Sequence, residues 1–307
     1  MIYRRQALQW AAGGLAAHAL GMSGSALGDT GATAPLIQRP IPSSGEQIPV
    51  IGMGTSRTFD VDDDAVSGLT EVMRAFLDGG GTVIDSSPMY GSAEAVLGRV
   101  LPRLERTDGL FSATKVWTSS GPAGPAEMAE SLRLWGLPRF DLLEVHNLLA
   151  WEAHLETLLE MKAEGRVRYI GVTTSHGRRH AELERIMREQ PIDFVQLTYN
   201  IVDREPEQRL LPLAQERDIA VIANRPFRRK ALIDAAEGHP LPGWAEEIGC
   251  RSWAQALLKY SVSHPAVTCA IPATSQVAHM QENMAAASRP MPDAALRRRM
   301  SADFAAL

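Results

Sequence analysis

The segment FDLLEVHNLLAWEAHLETLLEMKAEGRVRYIGVT, residues 140–173, holds two short apolar runs with a longer periodic stretch between them. The outer runs, FDLLEVH and VRYIGVT, are typical of strands buried on both faces of a sheet. Four residues of the middle stretch have the i, i+3, i+4, i+7 spacing of one helix face: Leu155, Leu158, Leu159 and Lys162. Gly165 stands where that helix should end. The segment therefore predicts a strand–helix–strand unit with parallel strands.

The same alternation repeats along most of the chain. Eight short apolar runs are separated by segments with helical periodicity: 50–55, 82–86, 110–116, 140–146, 167–173, 194–199, 219–225 and 267–274. In one domain of this length, eight such repeats favour a closed (β/α)8 TIM barrel. The alternative is an open Rossmann-type sheet, which requires G-x-G-x-x-G after its first strand. The first run ends GMGTSR (52–57) and lacks the third glycine.

A small β-hairpin is predicted ahead of the barrel. Ser43-Ser44-Gly45 forms a turn signal between two short extended runs. We therefore assign residues 36–307 to a single barrel domain that opens with this hairpin.

The composition argues against several classes of function. The chain has 307 residues, 22% of them charged, and a formal net charge of −5. Its basic runs at 228–230 and 297–299 are too short and isolated for a nucleic-acid surface. Cys250 and Cys269 make no disulfide framework, and Cys269 lies in an apolar run typical of a buried thiol. His176 and His180 are spaced i, i+4 but lack a third ligand, so the sequence predicts no metal site.

The first 28 residues differ from the rest of the chain. They contain Arg4-Arg5, an apolar run at about 10–22 that is too short to span a bilayer, and a small-residue cleavage site ending at Gly28. This pattern resembles a twin-arginine export signal, followed by a linker at 29–35. It implies the twin-arginine machinery as a partner, a periplasmic protein and no stable membrane insertion after cleavage. If the signal is not functional, the protein is cytoplasmic.

Four polar residues stand at or near the ends of predicted strands. They are Asp85, Tyr90, Lys115 and His146. Active sites of barrels lie at the carboxyl ends of the strands, so we expect these side chains on one rim. Lys115 is expected to lower the pKa of Tyr90, while Asp85 holds Lys115 in place. A phenol placed in this way can donate a proton to an oxygen that gains negative charge, with His146 orienting that oxygen.

The motifs around these residues resemble those of the aldo-keto reductases. Residues 85–98 are similar to the family's Asp–Tyr signature, in which four residues separate the two and Gly and Glu follow. FSATKV is similar to its lysine strand, DLLEVHN to its histidine strand and EGRVRYIGVT to the opening of its fifth strand. The resemblance covers residues 36–290. It implies reduction of an aldehyde or ketone to an alcohol by hydride transfer from NAD(P)H. Tyr90 would be the general acid, Lys115 and Asp85 its tuning pair, and His146 the substrate-orienting residue.

The resemblance also implies that NADPH lies across the strand ends. The residues at matching positions are Gly54, Thr55, Thr173, Thr174, Gln196, Asn224, Arg225, Phe227, Thr274, His279, Glu282 and Asn283. Ala273 and His279 stand where the family has the two cations that clamp the 2′-phosphate, so NADH is an alternative cofactor. We expect Arg225 and the basic run 228–230 to supply replacement phosphate contacts.

Four residues are expected to wall the substrate pocket: Arg57, Phe59, Trp117 and Asn147. Two other functions remain open at this point. The barrel could be a catalytically weak nicotinamide- or ligand-binding module that acts as a sensor or partner subunit. It could also be an aldolase or isomerase with Lys115 as a Schiff-base nucleophile, which explains the lysine but not Tyr90. The complete set of four rim residues favours a reductase.

Overall fold

The computed structural model describes residues 36–107 and 109–307. The predicted export signal (1–28) and linker (29–35) lie outside these residues and stay predictions. Across the described ranges, we find no helix with the length and apolar character that crossing a membrane requires.

Ten strands occur in the described residues. They are β1 (Gln38–Pro40), β2 (Gln47–Pro49), β3 (Met53–Gly54), β4 (Val83–Asp85), β5 (Phe111–Val116), β6 (Phe140–His146), β7 (Val167–Thr173), β8 (Phe194–Thr198), β9 (Ala220–Asn224) and β10 (Cys269–Ala270). The last eight correspond one to one with the eight predicted runs.

Eleven α-helices lie in the same part of the chain. They are α1 (Val66–Asp78), α2 (Ala93–Val100), α3 (Gly124–Trp135), α4 (Trp151–Ala163), α5 (His180–Glu189), α6 (Leu210–Glu216), α7 (Ala231–Ala236), α8 (Trp244–Glu247), α9 (Trp253–Val262), α10 (Val277–Ala285) and α11 (Ala294–Ala305). Helices α7 and α8 lie in the long connection between β9 and α9.

The eight later strands form a parallel barrel. Strands β3 to β10 pair in sequence order, each with the next. The first and last meet through a parallel bridge between Ile51 and Ala270, and the Gly52 amide donates to the Ala270 carbonyl at 2.9 Å. The prediction of a (β/α)8 barrel is confirmed, and the open-sheet alternative is wrong because these contacts join its two edges.

The predicted hairpin is present and seals one end of the barrel interior. Strands β1 and β2 pair antiparallel, and Gly45 takes the left-handed conformation that the turn requires, with φ 78°. Ile41 and Ile48 are buried against side chains from inside the barrel, including Phe111 and Leu142. This plug fills the end opposite the strand carboxyl termini, so within the described residues the other rim is the open end of the barrel.

The strand–helix–strand unit at 140–173 folds as its pattern predicts. Leu155 and Leu158 of α4 are buried, and Gly165 ends the turn after the helix with φ 74°. Lys162, on the same helix face, forms an ion pair with Asp193; its Nζ lies 2.8 and 2.6 Å from the two carboxylate oxygens. The helix packs on both β6 and β7.

Candidate active site

A cavity of about 810 Å³ opens at the carboxyl ends of the barrel strands. It is lined by twelve of the residues expected from the sequence: Gly54, Thr55, Arg57, Asp85, Tyr90, His146, Asn147, Thr173, Gln196, Asn224, Arg225 and Phe227. Side chains from most of the strands thus meet at one rim, because parallel strands all end on the same side of a barrel.

A buried ion pair lies at the base of this cavity. The Lys115 ammonium donates to Asp85 Oδ1 at 2.7 Å, to Asp85 Oδ2 at 2.6 Å and to the Ser86 carbonyl at 2.8 Å. The side chains of Lys115 and Asp85 are 0% and 1% exposed. Burial by itself would lower the pKa of Lys115, but Asp85 and Tyr90 outweigh it and the pKa is raised. Lys115 is therefore a fixed cation rather than a free amine.

Tyr90 lies in the turn that follows β4, half-buried at the cavity wall. Gly91 allows this turn, since its φ is 59° and a Cβ there would lie 2.2 Å from Asp60 Oδ1. The Lys115 Nζ is 5.5 Å from the centre of the Tyr90 ring. Burial raises the pKa of Tyr90, and Lys115 only partly opposes it. Lys115 thus lowers this pKa as expected, but burial has the larger effect and the net shift is upward. The phenol keeps its proton at neutral pH, which is the form that can donate.

His146 ends β6 and faces the same cavity. Its Nδ1 is 2.8 Å from the Ser87 hydroxyl, and its ring meets that of Tyr90 edge-on at 5.8 Å. Burial, together with the positive charge of Lys115, lowers the pKa of His146 to about 3. The imidazole is neutral, and Nε2 has no hydrogen bond within the described residues. Nε2 is thus the nitrogen left to contact a ligand oxygen.

Sequence reasoning missed a second buried carboxyl beside this pair. Glu144 of β6 is fully buried and stands opposite Lys115 in the sheet register. The Gln196 amide nitrogen donates to Glu144 Oε2 at 2.9 Å and to Asp85 Oδ2 at 3.0 Å. The sequence does indicate this residue, because Glu144 is a glutamate inside an apolar strand. It precedes His146 by two residues, which places both side chains on the same face of the strand.

The opposite wall carries amides and hydroxyls. Asn224 accepts a hydrogen bond from the Thr198 hydroxyl at 2.7 Å and donates one to the Thr174 carbonyl at 2.9 Å. The Thr174 hydroxyl is buried without a partner among the described residues.

Cations gather on one side of the cavity mouth. Arg225, Arg229 and Lys230 of the loop after β9 line it, as do His176 and Arg178 of the loop after β7. Arg225 Nη1 donates to His176 Nε2 at 2.6 Å. The sequence analysis did not identify His176 and Arg178 as site residues. It considered His176 only as a possible metal ligand together with His180. In the part of the chain described here, no cluster of three His, Cys, Asp or Glu side chains could hold a metal ion.

Several predicted residues do not border the cavity. Lys115 lies beneath it, and five of the expected cofactor contacts are outside its lining: Thr174, Thr274, His279, Glu282 and Asn283. One of the pocket predictions needs correction. Phe59 is fully buried in the hydrophobic core, in the same cluster as side chains of α1 and α2. Trp117 is 41% exposed and lies outside the cavity lining.

Comparison with known proteins agrees with this geometry. The model of the "Aldo/keto reductase family" matches residues 50–302. The chain belongs to the aldo/keto reductase family. It is 30% identical over 260 residues to methylglyoxal reductase YeaE from Escherichia coli (strain K12), which covers 81% of this chain and 89% of that protein.

Two further relatives of this aldo/keto reductase are informative. An NADH-specific methylglyoxal reductase from the same E. coli strain is 26% identical over 197 residues, covering 53% of this chain and 57% of that protein. A crystal structure of an aldo-keto reductase from Klebsiella pneumoniae in complex with NADPH has the same fold, with a TM-score of 0.73 at 24% identity, over 88% of this chain and 96% of that one.

The protein is therefore an NAD(P)H-dependent oxidoreductase that reduces carbonyl groups. The geometry also argues against the aldolase alternative. A Schiff base needs a neutral amine, whereas all three protons of the Lys115 ammonium are held by Asp85 and the Ser86 carbonyl.

Proposed function

We propose that Tyr90 donates the proton when this enzyme reduces an aldehyde or ketone to an alcohol. One observation carries the assignment: Tyr90 and neutral His146 face the cavity together, directly above the buried Asp85–Lys115 pair. A protonated phenol beside a fixed cation is a suitable donor to a developing alkoxide.

The roles of the other residues follow from their charges. The reduced nicotinamide supplies the hydride when it is bound. His146 Nε2 contacts the carbonyl oxygen and orients it toward the Tyr90 hydroxyl. As Tyr90 gives up its proton, Lys115 stabilises the phenolate, and Asp85 keeps Lys115 charged and immobile. The half-buried Tyr90 then regains its proton from water in the open cavity.

Turnover by the purified protein tests this assignment. Small aldehydes and ketones are mixed with each reduced nicotinamide, and cofactor oxidation and alcohol formation are measured together. Equal amounts of both products support carbonyl reduction. Tight nucleotide binding without turnover of any carbonyl would favour the alternative of a binding module.

We infer that NADPH is the cofactor and that cations of the rim hold its phosphates. The exposed Ala273 offers no charge at the position where a lysine was expected, so phosphate contacts must come from elsewhere. Arg225 is half-buried at the cavity, and its Nε is buried without a partner in the described ranges. This unsatisfied donor fits an anionic group. NADH remains the alternative cofactor, because one relative of this chain is named an NADH-specific methylglyoxal reductase.

Replacing Arg225 by alanine is expected to weaken nucleotide binding about tenfold or more, since a hydrogen bond to a charged group contributes roughly 1.5–3 kcal/mol. Arg228→Ala is the matched control from the same loop. Unlike the other two members of the basic run 228–230, Arg228 lies outside the cavity lining, and it pairs with Asp203 at 2.9 Å. Fluorescence titration of both variants with NADPH and NADH gives the affinities. Equal affinities for Arg225→Ala and Arg228→Ala would contradict the assignment.

We also propose that the protein is exported by the twin-arginine route, on the basis of Arg4-Arg5 and the weak apolar run that follows. Replacing both arginines by lysine is expected to keep the protein in the cytoplasm. Cell fractionation of wild type and the double variant measures this, with a cytoplasmic enzyme as the leakage marker. A periplasmic double variant, or a cytoplasmic wild type, would refute the proposal.

A further inference from the structure

Glu144 is a buried ionisable group, next to the catalytic residues, that has no role in the proposed proton transfer. It lies in the interior of the barrel, two residues before His146 on β6, with Lys115 opposite it on β5. It has no exposure to solvent. A carboxyl in such a place needs either a cation or a proton, because an unpaired buried charge is very costly.

The contacts leave Glu144 without a cation. The three protons of Lys115 go to the two Asp85 oxygens and the Ser86 carbonyl. Glu144 Oε2 accepts only the neutral Gln196 amide, at 2.9 Å, and Oε1 has no partner within the described residues. One cation thus serves two carboxyls, and it is committed to Asp85.

The charged groups around Glu144 also favour its protonated form. Asp85 and Tyr90 approach from β4 and its following turn, Lys115 from β5 and neutral His146 from its own strand, while β7 and β8, both described in full, contribute no charged group at this level. Burial raises the pKa of Glu144 well above its usual range, with Asp85 adding to the effect and Lys115 opposing it.

We propose that Glu144 is a positioning residue that retains its proton at neutral pH. In this form it adds no negative charge near Lys115, and the net charge there determines how readily Tyr90 gives up its own proton. This rests on the proposed role of Tyr90. With Glu144 neutral, Asp85 and Lys115 sum to zero before proton transfer. With Glu144 ionised, the same group carries an extra negative charge that disfavours phenolate formation at Tyr90.

The consequence is a pH dependence with two alkaline steps. Ionisation of Glu144 comes first and lowers kcat/KM for reduction by roughly three- to tenfold, because Tyr90 becomes a weaker acid. Ionisation of Tyr90 itself follows at higher pH and removes the donor.

The Glu144→Gln variant tests this, with Glu144→Leu as its partner. Both remove the ionisation, but glutamine keeps an oxygen for the Gln196 amide and leucine does not. The pH profile of kcat/KM is measured for each variant and divided by that variant's value at neutral pH. We expect both profiles to lack the first alkaline step. Only Glu144→Leu should also lower the urea midpoint of unfolding. A first step that persists in Glu144→Gln would overturn the proposal.

Infrared difference spectroscopy gives a readout that does not depend on turnover. The wild-type minus Glu144→Gln spectrum at neutral pH should contain the C=O stretching band of a protonated carboxylic acid, and this band should disappear at alkaline pH. A carboxylate band in its place would also overturn the proposal. Because this measurement concerns the resting protein, it separates a failure at Glu144 from a failure of Tyr90 as donor.

Discussion

Tyr90→Phe is expected to lower kcat/KM for carbonyl reduction by about 10²–10⁴-fold, the range typical of a lost general acid. The reason is local: Tyr90 is the phenol that lines the cavity next to His146, with Lys115 5.5 Å from its ring. Nucleotide affinity should be unchanged, since the aromatic ring stays. Steady-state kinetics and nicotinamide fluorescence measure the two quantities separately.

Tyr169→Phe provides a matched control for this experiment. The Tyr169 hydroxyl bonds to Ser44 and Glu46 of the hairpin, at 2.7 and 2.6 Å, and so lies at the plugged end of the barrel. The same chemical change there should leave turnover near the wild-type value. If Tyr90→Phe lost no more activity than Tyr169→Phe, Tyr90 could not be the proton donor.

Lys115→Met is expected to lower the free energy of unfolding by about 3–5 kcal/mol and to abolish most of the activity. Removing one partner of a buried ion pair leaves the other charge uncompensated, and here Asp85 is only 1% exposed. Urea denaturation followed by circular dichroism measures the loss of stability.

The double variant Lys115→Met/Asp85→Leu separates stability from chemistry. Two apolar side chains of similar volume often replace a buried pair with little loss of stability, so most of the loss should be recovered. Activity should not recover, because Tyr90 still lacks its cation. A double variant that is as unstable as Lys115→Met would show that the pair is needed for folding itself. Recovered activity would show that Tyr90 does not depend on Lys115.

Much of the site could be predicted because it depends on position along the chain. Asp85, His146, Thr173 and Asn224 each end a strand, and all strand ends of a parallel barrel lie on one rim. The βα rhythm therefore places them together without any knowledge of side-chain contacts. The same reasoning failed at Phe59, where loop direction and not strand position decides what the side chain faces.

The sequence by itself determined the barrel, its hairpin plug and the identity of the residues at its rim, since apolar periodicity and strand ends are local properties of the chain. Only the tertiary structure decided the protonation states. Burial outweighs Lys115 at Tyr90, and Glu144 is left without a cation because Asp85 occupies Lys115. Both outcomes depend on desolvation and on distances between residues far apart in sequence, and these quantities exist only once the barrel has closed.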